Sequence, residues 1–322
     1  MKVLLIAPTG MSEGSVVVVF GCGLIGSRIL KEFEGRQAEC LLDLKASWKD
    51  ESVFRRQCIE VVQLIKDLDT TAAMRVHFVW SAGSGSFASD EKSLVDERRA
   101  FECTLHAMQS VAAAHRACFH FTSSAGGLFE GQKLIGRETM PSPLRAYGVM
   151  KLNQENALVQ LAGEAGFKVR IYRPSTVYGT REFGFRTGLV SHLFWNALRN
   201  TPTTLEANFH ALRDYVHAGD VAAYIANRVA PFEADDQEVH FLVSGKPSSI
   251  FEIAGLVERM LGRTLVLRYS DRTQNDRDIT FRSEVMPPSW RPHDLETGLR
   301  AVYRNTSFLY LRDVPFDLAV RS

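Results

Sequence analysis

Residues 15–30 read SVVVVFGCGLIGSRIL, and no other stretch constrains the fold as tightly. Val16 to Phe20 is an unbroken run of β-favouring apolar residues that passes straight into Gly21-Cys22-Gly23-Leu24-Ile25-Gly26 and then into a segment with helical spacing. The order is strand, tight glycine turn, helix. Each glycine meets a separate demand: a sharp turn, close approach of backbone to a pyrophosphate, and close packing of helix on strand. The amides and dipole at the start of the helix then favour phosphate charge. Because such a turn also occurs as a plain α/β connection, a second mark is needed, and Asp43 supplies it. It follows another apolar run, Cys40-Leu41-Leu42, where an acid meets the hydroxyls of an adenosine ribose. Together these features predict dinucleotide binding through Gly21, Gly23, Leu24, Ile25, Gly26 and Asp43.

The rest of the chain continues the same alternation. A helix is expected over Val53 to Leu68, although no third strand can be placed after it. Val76 to Trp80 reads as a strand, and Ser81-Ala82-Gly83-Ser84-Gly85 beyond it is small enough for a cofactor to lie across. A long helix is expected from Glu91 to His115, then a strand from Cys118 to Thr122 ending in Ser123-Ser124-Ala125-Gly126-Gly127. Continuous apolar strands alternating with helices predict a parallel sheet covered on both faces, with ligands at the carboxyl ends of its strands. Ahead of the glycine turn two readings stay open: Met11 is the working start, or Val3 to Ala7 forms a short extra strand.

Ala146-Tyr147-Gly148-Val149-Met150-Lys151 supplies the chemistry. On a helix, Tyr147 and Lys151 share one face, so the ammonium sits near both phenol and cofactor ribose. A free phenol titrates near pH ~10, and the adjacent cation is expected to lower that value and make a usable base.

Bulk properties exclude several classes. The chain has 322 residues, is 45% hydrophobic and carries a formal net charge of +1. It shows no basic cluster for nucleic acid and no apolar run near the roughly 18–20 residues of a membrane helix. Five cysteines without a CxxC pair read as reduced thiols, and nine histidines show no metal-ligand spacing, so no metal is expected. A cytoplasmic location and no membrane or nucleic-acid partner follow as expectations.

With FGCGLIGS, Asp43, HFVWSAG, FHFTSSAGG, Tyr147-x-x-x-Lys151, YRPSTVYG at 172–179, RDYVHAGDVA at 213–222 and VSGKPSSIFEIA at 243–254, the chain resembles the extended short-chain dehydrogenase/reductases, specifically the NAD-dependent sugar epimerase/dehydratase group. The resemblance runs from about Ser15 to Tyr303. It implies an α/β fold: a Rossmann-like doubly wound parallel sheet with a smaller mixed α/β C-terminal lobe that closes over a nucleotide-sugar-like substrate. The NAD-binding domain is expected over 1–178, with a return at about 214–240, and the substrate lobe over 179–213 and 241–322. The resemblance implies catalysis by Ser124, Tyr147 and Lys151. It adds Ser81, Ala82, Gly83 and Pro174 to the NAD contacts and implies substrate contacts at Ser124, Ala125, Thr176 and Arg213, in a homodimer.

Some positions depart from the pattern. Phe20 replaces a frequent first glycine, Ala100 and Cys103 replace an Asn and a Gly on the fourth helix, and Thr176 replaces an Asn. The adenine-contacting acid of a third strand is not identifiable, and Arg272 or Arg277 is left open as a second phosphate ligand. Ala125 and Gly126 stand where the group's dehydratases carry Asp-Glu, which disfavours dehydration. The expected activity is therefore epimerisation of a nucleotide sugar through transient hydride transfer to NAD. The alternatives are an NAD(P)H-dependent keto-sugar reductase and a catalytically silent NAD-binding sensor or scaffold. In the second lobe, Ser249-Ile250-Phe251-Glu252 predicts a capping box and Gly262 a helix C-cap.

Overall fold

The computed structural model describes residues 2–7, 15–36, 39–68, 74–180, 188–205, 208–229, 237–269 and 277–312. Met11 and Arg272 lie outside them. In chain order the first elements are β1 (Lys2–Ala7), β2 (Ser15–Phe20), α1 (Gly26–Glu34), β3 (Glu39–Lys45), α2 (Glu51–Leu68), β4 (Arg75–Trp80), α3 (Val95–Ala112), β5 (Arg116–Thr122), α4 (Ala125–Leu128), α5 (Ala146–Ala165) and β6 (Lys168–Pro174). Then come β7 (Thr176–Tyr178), α6 (Leu189–Leu198), β8 (Thr203–Leu205), β9 (Arg213–His217), α7 (Ala218–Val229), β10 (Gln237–Leu242), β11 (Pro247–Ser248), α8 (Ile250–Leu261), β12 (Leu267–Tyr269) and α9 (Leu295–Leu311).

The chain divides into two compact units, one made of Met1–Leu128, Pro143–Arg173 and Ala222–His240, the other of Phe129–Ser142, Pro174–Val221 and Phe241–Ser322. The second unit takes in 129–142, which the sequence pattern left in the first. The reason is a set of backbone ties to a distant segment of its own unit: Ile135 N–H donates to Thr280 O at 2.9 Å and Arg282 N–H to Ile135 O at 3.0 Å.

The first unit is built on a seven-stranded sheet of order β10-β6-β5-β4-β2-β1-β3. Strands β2, β4, β5 and β6 are parallel, in the Rossmann manner. Their apolar runs are hydrophobic throughout because both faces are covered: Val17, Val18 and Val19 are each 0% exposed. Fully burying side chains of this size contributes about 1.5–3 kcal/mol each. One core joins Val18, Phe20, Phe78 and Trp80 to Phe54 and Ile65 of α2 and Phe101 and Met108 of α3. No strand separates α2 from β4 among the described residues, so β2 has β4 on one side and the acid-bearing β3 beyond β1 on the other. That reversal of winding leaves the crevice at the carboxyl end of β2 where a dinucleotide binds.

Val3 to Ala7 forms a strand, as part of β1, in an unexpected place. β1 runs antiparallel to both neighbours, with Val3 opposite Phe20 and Leu4 opposite Asp43. Four successive apolar residues, Val3 to Ile6, make the insertion favourable, since all are buried.

The second unit holds a three-stranded sheet, β11-β9-β7, and a two-stranded one, β12-β8. Its core gathers Leu193 and Phe194 of α6, Ile253 and Val257 of α8, and Leu299 and Val302 of α9. The capping box at Ser249 and Glu252 forms with both hydrogen bonds, and Gly262 closes α8 at φ 66°. Asp214 pins the unit internally, accepting from Ser175 Oγ at 2.6 Å, Ser244 N–H at 2.8 Å and Gly245 N–H at 2.7 Å.

Candidate active site

Gly21 leaves β2 at φ 94°, and a Cβ there would stand 2.5 Å from the backbone nitrogen of Ala82. Only glycine fits. Ser81 ties the loop after β4 to the same turn: its N–H donates to Phe20 O at 2.9 Å and its hydroxyl to Gly21 O at 3.1 Å. α1 then begins at Gly26 with no acid in its first turn, so its positive dipole end meets no competing carboxylate there, while the N–H groups of Ser27 and Arg28 donate to the carbonyls of Gly23 and Ile25 at 3.0 Å each. Gly21 and Gly26 are buried, while Gly23, Leu24 and Ile25 are half-buried and Gly83 is exposed. Crowded backbone at the bend with accessible amides beside it is the arrangement a pyrophosphate needs.

The second part of the site lies on α5. Tyr147 and Lys151 are one turn apart, and Lys151 Nζ is 5.8 Å from the centre of the phenol ring. Ser124, at the end of β5, hydrogen-bonds the Tyr147 hydroxyl. Its Oγ also accepts the Gly127 N–H at 3.1 Å. Two glycines give the ring its slot: a Cβ on Gly85 would come within 2.7 Å of Tyr147 Cδ2, and one on Gly127 within 3.1 Å of Cδ1. Phe87 covers the same ring at a centroid distance of 6.4 Å. Ser124, Tyr147 and Lys151 therefore converge within one unit.

Glu97 is the member of this cluster that no sequence pattern marked. It projects from α3 and is 0% exposed. Oε1 meets Lys151 Nζ at 3.1 Å, and Oε2 accepts the N–H groups of Ser84 at 2.9 Å and Gly85 at 3.1 Å. One carboxylate thus holds both the lysine and the loop beside the tyrosine. Burial works against the Lys151 charge, but Glu97, Tyr147 and Glu155 together more than offset it, and the pKa lies above the ordinary lysine value. For Tyr147 the expectation of a lowered pKa does not hold in the cofactor-free protein. Burial raises it and Glu97 adds to the rise, while Lys151 and Ser124 oppose them with less effect.

The remaining expected contacts are placed as follows. Asp43 is carried one strand away from β2 by β1, and its carboxylate pairs with Lys2 Nζ at 2.7 Å. Ala125 is 0% exposed, so its side chain faces protein rather than an incoming ligand. In the second unit, Pro174 ends β6 and is buried, and Thr176 is exposed on β7 beside β9. Arg213, on β9, is 6% exposed, and its charge helps hold the Asp278 carboxyl below the usual range, after Lys133 and the Leu212 N–H. Arg277 is described but has no placed role.

A cluster at mid-sheet also has ligand-type atoms close together. His77, Cys118 and His120 bring theirs within 4.8 Å of one another. His77 Nδ1 and His120 Nε2 are 3.2 Å apart, and His120 Nδ1 lies 2.9 Å from the Tyr172 hydroxyl. Burial, with Arg170 adding repulsion, holds His77 down to about 3, and the same guanidinium disfavours a cation among them. The cluster is a buried hydrogen-bonded ladder.

Residues 16–243 match the model of the NAD dependent epimerase/dehydratase family. The chain belongs to that family. An uncharacterized UDP-glucose epimerase of Bacillus subtilis is 26% identical over 203 residues, which is 61% of this chain and 63% of that relative. The match therefore spans less than two thirds of the relative's length. The fold is similar to UDP-glucose 4-epimerase of Thermus thermophilus, solved with NAD, at TM-score 0.71 and 18% identity over 90% of this chain and 98% of that one. UDP-glucose 4-epimerase of Thermotoga maritima, solved with UDP-glucose, gives TM-score 0.70 and 19% identity over 91% and 98%. The family is NAD dependent by its description, and the Gly21 to Gly26 cradle of this member fits the pyrophosphate of that group. Among the described residues of this family member, no helix is long and apolar enough to cross a membrane.

Proposed function

We propose that the protein epimerises a nucleotide sugar, with Tyr147 as the general base. The observation that carries this reading is the convergence of Ser124, Tyr147 and Lys151 at the loop after β4, whose Gly85 lies against the Tyr147 ring and whose Ser81 and Ala82 lie against the Gly21 turn. Bound NAD supplies reversible acceptance of a hydride. Tyr147 takes the proton of the substrate hydroxyl as that carbon is oxidised, and returns it when the carbonyl is reduced from the other face. Ser124 holds the reacting oxygen by hydrogen bonding. Lys151, kept charged by Glu97, favours the phenolate and orients the nicotinamide ribose.

Elimination has no support, because Ala125 and Gly126 follow Ser124 and neither can move a proton. Arg213 offers a planar cation suited to the oxygens of a substrate diphosphate. The test is to supply UDP-glucose, the sugar nucleotide named for the Thermotoga maritima relative, and other nucleotide sugars to the purified protein without external reductant. Conversion to a stereoisomer with no net change in NADH absorbance supports the epimerase. Turnover only with stoichiometric consumption of NADH or NADPH replaces it with a keto-sugar reductase, and no hydride transfer with any of them leaves a silent NAD-binding protein.

A further inference from the structure

The inserted strand β1 changes what stands beside the cofactor turn. In a dinucleotide fold, the residue at the end of the strand next to the glycine-turn strand meets the adenosine ribose, and an acid there favours a free 2′-hydroxyl. In this chain that neighbour is β1, and because β1 is antiparallel its first residue, Lys2, lies at the carboxyl edge of β2. The Lys2 carbonyl accepts the N–H of Gly21, the first glycine of the turn, at 2.8 Å.

Asp43 is correspondingly farther out. Neighbouring strands lie about 4.8 Å apart, so two steps place β3 roughly 10 Å from β2. The Asp43 carboxylate is also engaged, 2.7 Å from Lys2 Nζ, with the two side chains 47% and 49% exposed. Lys45 is the partner of Lys2 across the β1–β3 ladder. Two lysines against one aspartate leave this corner with a net charge of +1 (+2 − 1). An ammonium has three donors, so pairing with Asp43 leaves Lys2 capacity for a phosphate oxygen. A carboxylate standing alone would repel a phosphate, whereas one neutralised by Lys2 does not.

We propose that Lys2, with Lys45 behind it, forms a seat for the 2′-phosphate of NADP(H), so that this member of an NAD-dependent family binds both dinucleotides with comparable affinity. The inference rests on the dinucleotide reading of the Gly21 to Gly26 turn. The same seat removes the preference for a free 2′-hydroxyl that an unpaired acid at Asp43 would impose.

Titration calorimetry of the full chain with NAD+ and with NADP+ tests it without reference to turnover. The affinities are expected within about fivefold of each other, and the NADP+ affinity should fall more steeply with salt, as a contact between exposed charges requires. Lys2→Met keeps the backbone ladder and an apolar stem. It should weaken NADP+ by about tenfold while leaving NAD+ within about twofold, and Lys2→Arg should retain NADP+ binding. Asp43→Asn should strengthen NADP+. NADP+ binding weaker than NAD+ by about a hundredfold or more overturns the proposal. So does a Lys2→Met variant that weakens both dinucleotides alike or neither. If the unaltered chain binds neither dinucleotide, the reading of the glycine turn fails first and the seat fails with it.

Discussion

Glu97 Oε1 lies 3.1 Å from Lys151 Nζ, and the two side chains are 0% and 4% exposed. A pair so far from water is costly to form and costlier to break, because either partner alone is a buried, uncompensated charge. Its position gives it a second effect. The charge that keeps Lys151 protonated also raises the Tyr147 pKa and, through Ser84 and Gly85, fixes the loop against the tyrosine ring.

Neutralising that carboxylate should therefore move the pH dependence of turnover. Glu97 raises the Tyr147 pKa, so Glu97→Gln lets it fall, and the ascending limb of the rate against pH should shift to lower pH. Glu97→Ala, which leaves Lys151 unpaired, should destabilise the fold by about 3–5 kcal/mol in urea denaturation. An unchanged pH profile in Glu97→Gln contradicts the coupling.

Removing the phenol oxygen should separate chemistry from binding. Tyr147→Phe is expected to lower turnover by about 10²–10⁴-fold, the usual contribution of a general acid-base group, with NAD affinity nearly intact by calorimetry. Lys151→Ala should reduce both. A Tyr147→Phe protein that keeps most of its rate removes Tyr147 from the mechanism.

Glycines with and without neighbours should respond oppositely. A methyl on Gly85 would meet Tyr147 Cδ2 at 2.7 Å and Leu94 Cδ2 at 2.8 Å, whereas one on Gly163, inside α5, meets nothing within 4 Å. Gly85→Ala should displace the tyrosine and lower kcat. Gly163→Ala should stabilise the protein by about 0.5–1 kcal/mol, since helix-interior glycine has excess freedom to lose on folding. Kinetics and thermal melting on the pair provide the check.

Acid should weaken the fold through the mid-sheet ladder. His77 falls from 6.5 to about 3 through burial and then Arg170, and His120 is lowered in the same direction. The depressed group stays neutral in the folded chain while the unfolded chain takes up its proton. Stability is thus complete above pH 6.5 and is lost as pH falls from there towards 3. The slope is roughly 1.4 kcal/mol per pH unit for each histidine that titrates this way. Urea denaturation at pH 7.5 and 5.5 should show the loss, and His77→Gln should reduce its slope.

What could be read from the sequence was local. The glycine turn, the Ser249 capping box and the spacing of Tyr147 and Lys151 are each set within six residues or fewer by backbone conformation or helix periodicity. The alternation of apolar runs with amphipathic segments likewise specifies a parallel α/β sheet, because only strands buried on both faces tolerate such runs. What the sequence by itself determined is therefore the fold class and the residue types at the bends and on the helix face. Tertiary structure decided which charges meet. Glu97 reaches Lys151 across 54 positions and Lys2 reaches Asp43 across 41, separations at which no period connects the partners. The place of β1 was likewise open, since a short apolar run such as Val3 to Ala7 is compatible with either edge or the interior of a sheet. Pairing energies summed over the whole sheet, rather than any local preference, inserted it between β2 and β3 and set Lys2 beside the turn.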